Sequence, residues 1–161
     1  MRLKSTLNDI DGLIRRGAMG LARPRLKKLS KTTLPRSLLL GFCELARRAD
    51  MPILALRILS RRIRQTGRQA RQALPEEQIE YGASLVKIGA IAEGLDILSK
   101  LDADHYPSVL LFQSFDNFAR WNYQAAIPLL RKYILSPAPS DYDRLIGQVN
   151  LAGALVHEQH P

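Results

Sequence analysis

A chain of 161 residues, 46% apolar and 24% charged, can bury a core of its own, and this composition excludes wholesale disorder. Cys43 is the only cysteine, which excludes an internal disulfide scaffold; no run approaches the ~18 apolar residues of a membrane span, and no apolar segment of a secretory signal follows Met1. The net charge of +9 is unevenly held: residues 1–75 carry 18 Lys+Arg against 4 Asp+Glu, a net of +14, whereas residues 76–161 carry 6 against 11, a net of −5. The first half should therefore attract phosphate, acidic lipid or acidic protein, and the second should repel them. A cytoplasmic location is expected; residues 1–31 are basic and amphipathic like an organelle presequence, but Asp9 and Asp11 speak against one.

In chain order, residues 6–22 form the first predicted helix, capped by Thr6, with Leu7, Ile10, Leu13, Ile14 and Leu21 on one face. Gly12, Gly17 and Gly20 weaken it by about 1 kcal/mol each relative to Ala. The basic segment 23–31 reads as a connector or short helix, and Leu34-Pro35 breaks the chain. A helix over 37–48 follows, then one from Pro52 to about 73, with Pro52 in the first turn where its missing N–H costs nothing. Glu76 and Glu77 open the next helix, ending near Gly89. Further helices are expected over 92–101, 108–119 and 123–135, with Pro128 out of place unless it lies in the first turns. Residues 102–107 and 137–140 are breaks, and Asp141 caps a last helix over 142–158. No segment alternates at the period of a strand.

A repeat is visible. Cys43 and Ala55 are twelve apart, as are Gly82 and Gly94, and Ser114 and Ala126; four residues after each second member stands Leu59, Leu98 or Leu130. Small residues at matched places on two helices let the axes approach closely, and the leucine fills the groove toward the next pair. With Asn122-Tyr123-Gln124-Ala125-Ala126-Ile127, Leu129-Leu130 and Pro137, the chain resembles the tetratricopeptide repeat family over about residues 37–158. The unit with Gly82 and Gly94 matches next best. At the Cys43 and Ala55 unit, Pro52 stands where the family has a bulky residue. The resemblance implies an all-α, α-solenoid fold of antiparallel helix pairs with a concave face that binds peptides or protein segments. About three pairs are expected, with an N-terminal helix before them and a C-terminal half repeat after, so residues 1–36 form a basic N-terminal helix and connector and residues 37–161 the repeat domain. Ala55 to Gly94 spans 39 residues and Gly94 to Ala126 only 32, which predicts that the helix after Pro52 is about two turns longer than the family's. The last helix carries Leu151, Ala152 and Leu155 on a face that needs a cover, either the further repeat of a longer protein, or another copy or a partner.

Within that long helix, Arg57, Arg61, Arg64, Arg68 and Arg71 recur at steps of four and three, which would put them on one face of a continuous helix over about 21 Å. Arg62 adds a charge nearby, and Gly67 threatens the register. Such a stripe can hold carboxylates or phosphates bidentately, or it can be only a solvated face. The candidate partner-binding residues are these five with Arg47 and Arg48 in support. The expected function is a non-catalytic interaction scaffold that binds an acidic peptide or helical partner. The alternative is RNA or DNA binding through the basic N-terminal half, by the same stripe and the basic segment 23–31, for which no recognition helix or RNA-binding motif is present, and Phe112, Phe115, Phe118, Trp121 and Tyr123 lie in the acidic half. A third option is contact of residues 1–31 with anionic lipid. His157 and His160 lack a third metal ligand, His105 sits in an acidic loop, and no phosphate loop or nucleophile elbow appears, so no catalytic residue, metal or cofactor is implied. The family's pocket for a C-terminal carboxylate uses Lys, Asn and Arg on first helices, of which this chain offers only Lys87 and Asn117.

Overall fold

The computed structural model describes residues 2–64 and 73–159, and among them it is all-α with no strand. The helices are α1 (Arg2–Arg15), α2 (Met19–Leu29), α3 (Arg36–Arg48), α4 (Pro52–Ile63), α5 (Pro75–Lys87), α6 (Ile91–Leu98), α7 (Ser108–Ala119), α8 (Tyr123–Leu135) and α9 (Asp141–Gln159). They fall into two compact units, Met1–Gly89 and Ala90–Pro161. In the first unit α1 packs on α2 and α3, and α3 and α4 pack on each other and on α5; in the second α6 packs on α7, α7 on α8 and α8 on α9. Within each unit neighbouring helices thus pack in succession, the arrangement of a helical-repeat solenoid. No described helix is long and apolar enough to cross a membrane.

The repeat is written most clearly in the turns. Gly17 (φ 73), Asp50 (φ 61), Gly89 (φ 88) and Trp121 (φ 57) are left-handed, and each stands two residues before a helix start. The N–H groups of Gly17, Asp50, Gly89 and Trp121 donate to the carbonyls of Ile14, Arg47, Val86 and Phe118, three residues back, and those of Ala18, Met51 and Asn122 reach five back, to Leu13, Ala46 and Asn117. This is the Schellman closure, which satisfies helix-end carbonyls and requires one left-handed residue. Counted from each turn, position −7 holds Ile10, Cys43, Gly82 and Ser114, position +5 holds Ala22, Ala55, Gly94 and Ala126, and position +9 holds Leu26, Leu59, Leu98 and Leu130, all of them buried. The leucines are fully enclosed, and each is worth about 1.5–3 kcal/mol by apolar burial.

Several sequence expectations change. The predicted helix 6–22 is two helices: α1 begins at Arg2, so Thr6 lies inside it rather than capping it, and Gly17 ends it. Residues 19–29 are a full helix carrying the repeat pattern, so α1 and α2 are a further helix pair. Ile10 hides that unit in the sequence, because it stands where the others have a small residue. The helix after Pro52 is not over-long: α4 has 12 residues, against 11 in α2 and 13 in α8. Arg64 closes its last turn with an N–H bond to the Ser60 carbonyl, and Ala73-Leu74 is not helical. Residues 65–72 of the expected long helix, over which the rest of the 39-residue spacing runs, lie outside the described residues. Pro128 lies in the second turn of α8 on an exposed face, where Pro24 stands in α2. The cap of α9 is Ser140, not Asp141: its Oγ accepts from the Asp143 N–H at 3.2 Å and donates to the Asp143 carboxylate at 2.5 Å.

Candidate basic interface on α4

Arginines of the first unit divide into two kinds. Arg47 and Arg48, in the last turn of α3, face inward. Arg47 Nε donates to both carboxylate oxygens of Glu80 on α5, at 2.8 and 3.1 Å, and Ser84 Oγ donates to the same carboxylate at 3.3 Å. Glu80 is buried, and that burial pushes its carboxyl pKa up against the pull of Arg47. Arg48 Nη1 lies 2.7 Å from Asp11 on α1, which also accepts from Arg15 at 2.7 Å. Burial alone would raise the Asp11 pKa; the hydrogen bonds and charges of Arg15 and Arg48 together outweigh it and hold the carboxyl below the usual aspartate range. Arg62 Nε sits 2.9 Å from Glu77 on α5, a buried glutamate that also accepts the Leu74 N–H at 3.0 Å, although the Arg62 N–H is not well aligned for a hydrogen bond. These arginines tie α1, α3, α4 and α5 together. The acids that answer them are distant in sequence, which is why proximity along the chain does not reveal the pairing.

The second kind faces outward. Arg57 and Arg61 are exposed one helical turn apart on α4, and among the described residues neither is paired with a carboxylate. Ile53, one turn earlier on the same face, is 63% exposed. Arg64, at the helix end, is exposed and its Nη2 lies 3.4 Å from the Tyr81 hydroxyl. Arg68 and Arg71 lie outside the described residues. The stripe of five is thus represented on the described helix by Arg57 and Arg61, with Arg64 at its cap.

The turn register adds a residue that the sequence pattern does not single out. Position +11 is basic and exposed in all four second helices: Lys28, Arg61, Lys100 and Lys132. In the second unit it is neutralised locally, Lys100 by Asp96 and Lys132 by Asp104, each at 2.7 Å. In the first unit neither Lys28 nor Arg61 is paired with a carboxylate among the described residues. The signal for Lys28 is its eleven-residue distance from Gly17, legible once Gly17 is known to be a turn.

Other candidates resolve simply. Cys43 is fully buried, and burial followed by the nearby Glu80, Glu44 and Glu77 charges drives its thiol pKa far up, so it stays protonated. His105 lies 2.9 Å from Asp102 in an exposed loop, and His157 stacks on Tyr123 with ring centroids 4.8 Å apart; His160 lies outside the described residues. Lys87 lies 3.7 Å from Asp50, and the Asn117 amide donates to the Gln113 carbonyl, so both serve local structure. Among the described residues no group of three or more His, Cys, Asp or Glu is placed to hold a metal ion. Comparison of the chain with family models, with curated proteins and with solved structures finds no match.

Proposed function

We propose that this protein is a non-catalytic, cytoplasmic interaction scaffold whose α4 face binds an acidic segment of another protein. The observation that carries this reading is the contrast within one arginine-rich unit: Arg47, Arg48 and Arg62 are held by carboxylates of the fold, whereas Arg57 and Arg61 face solvent with none among the described residues. An unpaired guanidinium pair offers two bidentate sites about 6 Å apart, matched by carboxylates one turn apart on a partner helix. Ile53 at the end of the row favours a partner with an apolar residue beside its acids over a bare phosphate chain. The tetratricopeptide-like pattern and the repeated turns support the same reading, because stacked helix pairs hold such a face rigidly.

The test is fluorescence anisotropy with a labelled amphipathic helical peptide bearing glutamates at four-residue steps, with labelled RNA and duplex DNA titrated in parallel. The expected result is micromolar binding of the peptide that weakens with salt and is lost in Arg57→Glu/Arg61→Glu, whose unfolding transition is unchanged. Equal binding of peptide by wild type and double variant would overturn the reading. Preferential binding of nucleic acid, lost in the same variant, would replace the partner class.

A further inference from the structure

Between Asp11 and Glu44 the chain has no acid: these 32 residues carry eight Lys+Arg and no Asp or Glu. The fold uses two of the eight. Arg15 is held by Asp11 at 2.7 Å, and Arg23 donates to the Ala49 carbonyl at 2.8 Å and lies 3.2 Å from Asp50. The other six, Arg16, Arg25, Lys27, Lys28, Lys31 and Arg36, are exposed, and among the described residues none is paired with a carboxylate. Five of them gather within twelve residues: Arg25, Lys27 and Lys28 in the last turns of α2, Lys31 in the connector, and Arg36 at the first residue of α3. The negative end of the α2 dipole favours Lys27 and Lys28, but it accounts for neither Lys31 nor Arg36, and Arg36 stands at the positive end of α3. Like charges this close repel one another, and an anionic surface removes that repulsion.

Neither α1 nor α2 has an apolar face left with which to lie in a bilayer, because Leu7, Ile10, Leu13 and Ile14 of α1 and Ala22, Leu26 and Leu29 of α2 are buried in the unit. Contact must come from the outer side. There Leu21, Arg25 and Lys28, at steps of four and three, form one row about 10 Å long, and Leu21 is 60% exposed. We propose that the outer side of α2 and its connector to α3 dock the protein on an anionic phospholipid bilayer, by charge, with Leu21 at the interface. Three features select a bilayer among anionic partners. An exposed leucine in line with cations suits the headgroup boundary, where apolar and basic side chains are taken up together, whereas a phosphate backbone offers Leu21 nothing to pack on. No Phe, Trp or Tyr precedes Phe42, so this region has no ring on which an unpaired base could stack. Three of the five clustered cations are lysines, point charges drawn to a diffuse field, whereas the α4 row is made of arginines, whose forks fit single carboxylates. The residues are distinct from Arg57 and Arg61, so either reading can fail without the other.

Co-sedimentation of the full chain with vesicles tests the proposal, using phosphatidylcholine alone and phosphatidylcholine with about one third phosphatidylserine. The expected result is binding to the anionic vesicles only, weakening as salt is raised from about 0.1 to about 0.3 M. Each basic side chain at such a surface is worth roughly fivefold in affinity, so Arg25→Gln/Lys27→Gln/Lys28→Gln/Lys31→Gln should bind roughly 100-fold or more weakly. Leu21→Ser, which keeps every charge, should bind several-fold more weakly, and Arg57→Gln/Arg61→Gln should stay within about threefold of wild type. All the replaced side chains are exposed, so circular dichroism and the unfolding transition of each variant should stay close to wild type. No sedimentation with anionic vesicles, or undiminished sedimentation of the four-glutamine variant, would overturn the proposal. Displacement from the vesicles by RNA or duplex DNA at equal phosphate concentration, with Leu21→Ser binding like wild type, would overturn it too and give the patch to nucleic acid.

Discussion

At the scale of single residues, the structure sorts arginines that sequence treats alike. Arg47 answers Glu80 inside the first unit, and removing one partner of such a pair leaves a buried carboxylate uncompensated. Arg47→Met should therefore lower unfolding stability by about 3 kcal/mol, whereas Arg57→Met, at an exposed position, should change it by less than about 0.5 kcal/mol; urea unfolding of both variants checks the contrast. Asp11 gives a pH signature. Its folded pKa lies below its unfolded one, so the stabilisation it shares with Arg15 and Arg48 is complete above the ordinary aspartate value of 3.8 and is lost as pH falls through the lowered pKa. Asp11→Asn should cost about 1 kcal/mol at neutral pH and converge with wild type in acid, read from unfolding midpoints across that window.

At the scale of elements, most helices were legible in the sequence because their signals are local. Pro52 and Pro75 mark first turns, and the twelve-residue spacing of small residues marks paired helices. Three features were not legible. The helix break at Gly17 hid inside an amphipathic period, because one glycine in a helical pattern reads as a cost rather than as a turn. Asp50 and Trp121 fill left-handed positions where glycine would be the signal, so the four equivalent turns do not look alike in letters. The end of α4 at Ile63, with Arg64 as its cap, is marked by no proline or glycine at that place in the sequence. If α2 is a repeat helix like the others, Leu26→Ala and Leu59→Ala should each cost about 2–4 kcal/mol, because both side chains are fully enclosed; a cost below about 0.5 kcal/mol for Leu26→Ala in thermal or urea unfolding would mean that α2 is only a connector.

At the scale of the molecule, the charge asymmetry was legible from composition alone, but its meaning was not. Part of the positive excess of residues 1–75 is spent on the fold, through Asp11, Glu77 and Glu80, and among the described residues the part that faces outward includes Lys28 on α2 and Arg57 and Arg61 on α4. Which arginines belong to which group depends on pairings 15 to 37 residues apart, beyond any local pattern. Lys100 and Lys132 repeat the basic register position in the second unit but are neutralised there, so the proposed binding of an acidic partner falls to the first unit.

The measurement that tests this assignment most directly is a charge-swap titration. Wild-type protein and Arg57→Glu/Arg61→Glu are each titrated, by anisotropy at near-physiological salt, with a glutamate-bearing amphipathic helix and with its lysine counterpart. Wild type is expected to bind the acidic helix, the double variant to bind it roughly tenfold or more weakly, and the variant to gain affinity for the lysine helix. Identical affinities of wild type and variant for both peptides would contradict it, and would make the outward arginines of α4 a solvated surface.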